Sequence, residues 1–366
     1  VYEGGDPCSA ASVGKVCCTE YDSGRNEEVS GPYNDEGGKS MKKLVVCCIV
    51  VFFIVPVMSF TGGTEEEVEE GKKLTKIGYS PLSTQLEYFQ RVILGMQRKC
   101  DENGIKLLID DPQLDLNKQV TGLENLLTAG AQSLVICCLD PVAVEAAVDE
   151  AHAKGASVVS HVSTFEGADV YVGLNEYEFG FAGGETFAQE FQKVHSGMAY
   201  IANLDANTLG EGLVQRNNGL IDGFKKYFPD AEVVAQTTAF DEAKALEVFE
   251  AMLQANPEIN VMLSNNDPAA YGVIAAVESA GLGVNRDVYV GCVGDQFKTL
   301  DLIENGTIFS SVSVSPERTG EIMVEVAIDL FNGKDVPVDV YIPHKPITKS
   351  NVAEVRDYKL TFGPME

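Results

Sequence analysis

Chemistry has few places to reside in this chain. Residues 212–224, GLVQRNNGLIDGF, set one arginine, Arg216, among asparagines, glycines and aliphatic residues. A guanidinium in such company is either a solvated residue on an amphipathic helix or a fork of donors held over a pocket for an oxygen-rich ligand. The four histidines, His152, His161, His195 and His344, show no metal-ligand spacing, and no serine sits in a nucleophile-elbow pattern. His161 ends an apolar run, so it belongs either at a cleft or in the core. Cys100, Cys137, Cys138 and Cys292 follow no metal-type spacing and read as small core hydrophobes. On a strand, adjacent Cys137 and Cys138 would face opposite sides. No catalytic constellation emerges, and neither metal nor cofactor is expected.

The elements that must position these residues alternate with regularity. Apolar runs fall at 76–80, 106–110, 133–138, 157–162 and 170–174, and a second series at 198–204, 232–239, 261–266, 288–294 and 307–314. They are short and rich in Val and Ile, as buried parallel strands should be. Helical patterns fill the gaps. Phe89, Val92, Ile93, Met96 and Cys100 repeat at helical spacing before an Asn103-Gly104 stop, and Asp140 stands as N-cap before Pro141, with Gly155 closing that segment. Such alternation predicts an α/β fold of two doubly wound parallel-sheet lobes, with five strands in each series. Ligands bind such sheets at the carboxyl ends of the strands. The first strand leads into SPLSTQLEYFQ, which has no glycine for a dinucleotide fingerprint, and no phosphate loop ends in Gly-Lys-Ser/Thr. Dehydrogenase and nucleotide-hydrolase chemistry are disfavoured.

Composition narrows the partners. With 27 basic and 55 acidic side chains among 366 residues the formal net charge is −28, which repels phosphate backbones and argues against nucleic acid. Residues 1–40 lack hydrophobic periodicity and read as an upstream non-native or disordered segment. From Met41, two lysines precede the apolar run Leu44–Val57 and then small residues, the layout of a secretory signal over 41–63. An uncleaved anchor is the alternative, since Leu44–Phe60 reaches the lower limit for spanning a bilayer. Residues 64–73 form an acidic leader.

Several phrases, taken in order, resemble the type I periplasmic binding proteins, specifically the ribose- and galactose-binding solute receptors of ABC sugar importers. GYSPLSTQLEYFQRVILGMQRKCDENGIKLLI, LLTAGAQSLVICCLDP, DVYVGLNEYEFGFAGG, RNNGLIDGF, SNNDPAAYGVIAAVESAG and VYVGCVGDQ carry the likeness, from about Lys76 to Val352. The resemblance implies one lobe of residues 74–174 and 315–340, a second of 175–314 and 341–352, a three-crossing hinge, and a tail at 353–366. It also implies site residues. Arg216 falls on the family's ligand arginine, Asn266 on its ligand amide, Phe240 on an aromatic near the ligand, and Tyr88 and Phe89 on the aromatic pair of the first lobe. Phe89 shares the helical stripe and could equally be core, whereas Tyr88 lies off it; Asn266 could equally cap the next helix. Four polar positions of the family pattern are apolar or thiol here: Val162, Val293, Val314 and Cys137. His161, Ser163, Asp140 and Asp295 sit beside them as substitutes, so a deoxy sugar, sugar alcohol or less polar ligand stays open.

These implications converge on an exported, monomeric, non-enzymatic receptor, in the periplasm or on the extracellular face of the cell membrane, that hands a small carbohydrate-like ligand to an ABC permease. A membrane-tethered sensor domain reporting to a signalling partner is the alternative. A sugar-responsive repressor would need a helix-turn-helix head where the signal-like stretch stands.

Overall fold

The computed structural model describes residues 73–363 of the chain. The expected upstream segment and the 41–63 signal or anchor lie outside the described residues. Among those described, no helix is long and apolar enough to cross a membrane.

Apolar runs become strands where periodicity predicts them. The first series is β1 (Lys76–Ser80), β2 (Lys106–Ile109), β3 (Ser133–Ile136), β4 (Ser157–His161) and β5 (Val170–Gly173). The second is β6 (Tyr200–Asp205), β7 (Glu232–Thr238), β8 (Val261–Ser264), β9 (Tyr289–Gly291) and β10 (Ser311–Ser313). Two short strands follow, β11 (Asp339–Tyr341) and β12 (Lys345–Ile347). One sheet runs β11-β5-β4-β3-β1-β2 with every neighbouring pair parallel. The other runs β7-β6-β8-β9, also wholly parallel. Both wind the same way: out to one side of the first strand, then back past it to the other. The reversal lies between β1 and β3 in one sheet and between β6 and β8 in the other, where a doubly wound sheet opens a crevice.

The strand count differs from expectation at two places. β10 does not extend the second sheet as a fifth full strand. It pairs antiparallel with β12 and meets β9 through a parallel bridge from Gly291 to Ser310. The chain turns into left-handed backbone at Ser315, with φ 44°, two residues past the end of β10. β11 adds a sixth strand to the first sheet; with Val340 alone buried among its three residues, it is too short for periodicity to reveal.

Ten helices among the described residues cover the sheets. They are α1 (Glu87–Asn103), α2 (Leu116–Thr128), α3 (Glu145–Ala153), α4 (Glu176–Phe191) and α5 (Glu211–Lys225), then α6 (Glu242–Ala255), α7 (Asp267–Ser279), α8 (Phe297–Glu304), α9 (Pro316–Phe331) and α10 (Val352–Leu360). Local chemistry sets their ends. Asp115, Asn175, Asp241 and Asn266 each accept a backbone N–H of the first turn, and Gly104 closes α1 in left-handed backbone, φ 64°. Asp140 does cap, accepting from Val142 and Ala143 at 2.9 and 3.0 Å, but a separate turn intervenes before α3 begins.

Each parallel sheet buries both faces. Cys137 packs with Ile77, Tyr79 and Val135 on one side of the first sheet, and Cys138 with Leu134, Ile136 and Val158 on the other. All four cysteines among the described residues are free and buried. One expectation needs correction. Most of the segment read as a tail, residues 353–366, is the helix α10, and its Lys359 is 2% exposed because Glu317 and Asp295 meet its ammonium inside the protein.

Candidate functional site

Arg216 is placed by the packing of α4 against α5. Glycines line the seam: a Cβ on Gly180 would stand 1.9 Å from the Arg216 carbonyl oxygen, and one on Gly219 2.1 Å from that of Tyr177. Backbones this close hold their side chains in fixed register. Glu176, the first residue of α4, thereby meets Arg216 in a two-pronged ion pair, Nε donating to Oε2 at 2.6 Å and Nη2 to Oε1 at 2.9 Å. Nη1 donates to the backbone carbonyl of Asn265 at 3.2 Å, and the Phe179 ring lies 5.1 Å from the guanidinium carbon. Five N–H donors minus these three leaves two for a further partner.

Around Arg216, at the carboxyl ends of β6 and β8, amides gather. Asn265 directly follows β8 and is completely buried, yet neither atom of its side-chain amide has a hydrogen-bond partner among the described residues. Asn203 on β6 donates to Asn217 at 2.6 Å while its own oxygen is likewise unpartnered. Asn266 is committed: its oxygen caps α7 at Ala269 and its nitrogen donates to the Phe240 carbonyl at 2.8 Å. The Phe240 side chain is 43% exposed.

The first sheet contributes an aromatic cluster. Tyr79 is the penultimate residue of β1, His161 ends β4, and Tyr88 and Phe89 lie in the first turn of α1. Tyr79 Oη lies 3.2 Å from Nδ1 of His161, and Tyr88 Oη 3.1 Å from Nε2. A neutral imidazole has one donor and one acceptor nitrogen, so one phenol donates to it and the other accepts. Burial pushes the His161 pKa down to about 3, keeping it neutral. Phe89 meets the imidazole edge-on at 6.1 Å and Tyr88 stacks on it at 5.9 Å. With both nitrogens engaged and no exposure, His161 holds Tyr88 in place rather than presenting a free nitrogen of its own. The two clusters lie within electrostatic reach. Burial raises the pKa of both Tyr88 and Tyr171, and the Glu176 carboxylate adds to the rise in each.

The other candidates are engaged within the protein. Cys137 is buried in the core cluster behind Tyr79. Ser163 turns to Cys138, 3.1 Å from its sulfur, and one Asp140 oxygen is used in capping. Asp295 accepts from the Ser313 hydroxyl and pairs with Lys359 at 3.4 Å. It lines a cavity of about 300 Å³ beside α10, with Glu317, His344 and Lys359, that includes neither Arg216 nor Asn265. Glu176, Asn265 and Tyr79 escaped the sequence patterns. Asn265 alone left a trace, as the neighbour of Asn266.

Comparisons with known proteins bear on this arrangement. A family model described as periplasmic binding protein domain matches residues 77–335. The ribose import binding protein of Bacillus subtilis is 27% identical over 274 residues, covering 75% of this chain and 87% of that protein. The D-allose-binding periplasmic protein of Escherichia coli is 27% identical, covering 73% of this chain and 70% of its own. Among solved structures, an ABC transporter solute binding protein from Bacillus halodurans with bound myo-inositol matches with a TM-score of 0.66 and 25% identity, over 78% of this chain and 98% of that one.

Proposed function

The chain belongs to the periplasmic binding protein family, and we propose that it is an exported receptor that captures one small carbohydrate-like ligand between its two sheets and delivers it to an ABC permease. The observation that carries this reading is Asn265. A buried amide without partners costs roughly 1–3 kcal/mol, and a fold has reason to retain it where a ligand supplies what is missing. Beside it, Arg216 keeps two N–H donors. Vicinal hydroxyls, each donor and acceptor, complement that pairing, and Tyr88 offers an aromatic face for the apolar side of a sugar ring. The relatives named for ribose and D-allose, and the homologous structure holding myo-inositol, involve polyols of this size.

Calorimetric titration of the purified protein with D-ribose, D-allose and myo-inositol tests the reading, with Asn265→Ala beside the wild type. Binding of at least one polyol is expected, weakened about tenfold or more by the substitution. Because no protein hydrogen bond is lost, the unliganded variant should melt no lower than wild type by more than the cost of a vacated carboxamide-sized space. An undiminished affinity in Asn265→Ala, or no polyol bound at all, would sink it.

A further inference from the structure

Granted capture of a sugar-like ligand at Arg216, on which the point rests, we infer that Glu176 is a specificity-determining residue: its carboxylate cancels the charge of Arg216 and tunes the site to uncharged ligands over acidic sugars. An arginine fork is otherwise a carboxylate receptor, because its parallel N–H bonds match the two oxygens of a planar anion. Here that face is already taken. Nε and Nη2 both point at Glu176, and the side chains of the pair are only 14% and 18% exposed, so solvent screens the pairing little.

The pairing is built into one body. Glu176 opens α4 and Arg216 sits on α5, and the glycine seam brings these helices to backbone contact at Gly180 and Gly219. Opening or closing of the two sheets about a hinge therefore leaves the pair intact. What remains for a ligand is two guanidinium N–H donors of a neutralised group together with the Asn265 amide, a donor and an acceptor in one plane. Hydroxyls satisfy that set. A ligand carboxylate would compete with Glu176 for the fork and meet its negative charge at close range, which is how a site rejects a near-isostere.

The test compares wild type with Glu176→Gln, and with Glu176→Ala so that a folding defect in one variant leaves the other to decide. Each is titrated with D-ribose, D-allose, myo-inositol, D-glucose and D-galactose, and with glucuronate and galacturonate. Removing the carboxylate charge should raise the ratio of uronate to neutral-sugar affinity about tenfold or more. Adding Arg216→Ala should abolish the rise. A ratio that stays flat, with neutral sugars still bound, overturns the charge filter and leaves sugar capture standing. If no protein takes a neutral sugar but the Glu176 variants take uronates, the filter stands and the sugar reading falls. If nothing binds to any of them, both are overturned.

Discussion

Replacing Lys359 with methionine asks whether α10 ties the two sheets together through charge. The Lys359 ammonium stands 3.2 Å from Glu317 and 3.4 Å from Asp295. Glu317 belongs to α9, which packs along α1 beside the first sheet, whereas Asp295 follows β9 of the second. Arg91 completes the cluster, pairing with Glu317 and donating to the Lys359 carbonyl, with the Phe297 ring 5.2 Å from its guanidinium. Methionine keeps most of the apolar stem and removes only the cation. Glu317 then still has Arg91, but Asp295, at 4% exposure, keeps the Ser313 hydroxyl and no cation from this pairing. Removing one partner of a buried ion pair costs about 3–5 kcal/mol. Because one of the two carboxylates retains a cation, the lower end applies, about 3 kcal/mol. Unfolding entropy of about 2.1 cal/mol/K per residue over the roughly 290 described residues makes each kcal/mol worth about 1.6 °C, so a drop of about 5 °C is expected. Scanning calorimetry at neutral pH reads it directly. Adding Asp295→Asn removes the stranded charge and should recover a large part of the loss. A Lys359→Met protein melting within about 2 °C of wild type would refute the reasoning, since the network would then contribute nothing beyond its desolvation cost.

Arg216→Ala tests binding and stability together. It strands the Glu176 carboxylate, only 18% exposed, at a cost of about 3 kcal/mol, and it removes N–H donors from the ligand, so affinity for any polyol that binds should fall about a hundredfold by calorimetry. Acid unfolding should reveal His161. Its folded pKa of about 3 lies below the unfolded value of about 6.5, so the unfolded chain takes the proton first. Stability present above pH about 6.5 is therefore lost as pH falls toward 3, by up to about 4–5 kcal/mol. His161→Gln should lack this acid limb, so its deficit relative to wild type narrows on acidification in urea titrations. Asp267 runs the opposite way. Burial, only partly offset by the Thr299 hydroxyl, lifts its pKa to about 7, so the folded state holds a proton that the unfolded chain releases above about pH 3.9. Its contribution is full below that point and lost as pH rises through 7, and Asp267→Asn should gain on wild type across that window.

The local grammar of the chain was largely sufficient for its architecture. Val- and Ile-rich runs separated by capped amphipathic stretches require buried parallel strands under helices, and Asn103-Gly104, Asn266 and Asp241 mark boundaries through contacts within a single turn. Where a strand depends on a distant partner, as β10 does on β12, the same pattern overstated its length. Arg216 stood out by residue type and neighbours alone. Its partner did not: Glu176 lies 40 positions earlier and reads as an ordinary first-turn acid of α4. Arg91 reads as a solvated charge on α1 until Glu317, 226 positions away, is folded against it. The sequence by itself determined which segments are strand and helix, because those preferences act over a few residues. Which charges are neutralised, which amide is left wanting and which helix straps the sheets together were decided by tertiary structure, since only packing brings remote groups within bonding distance.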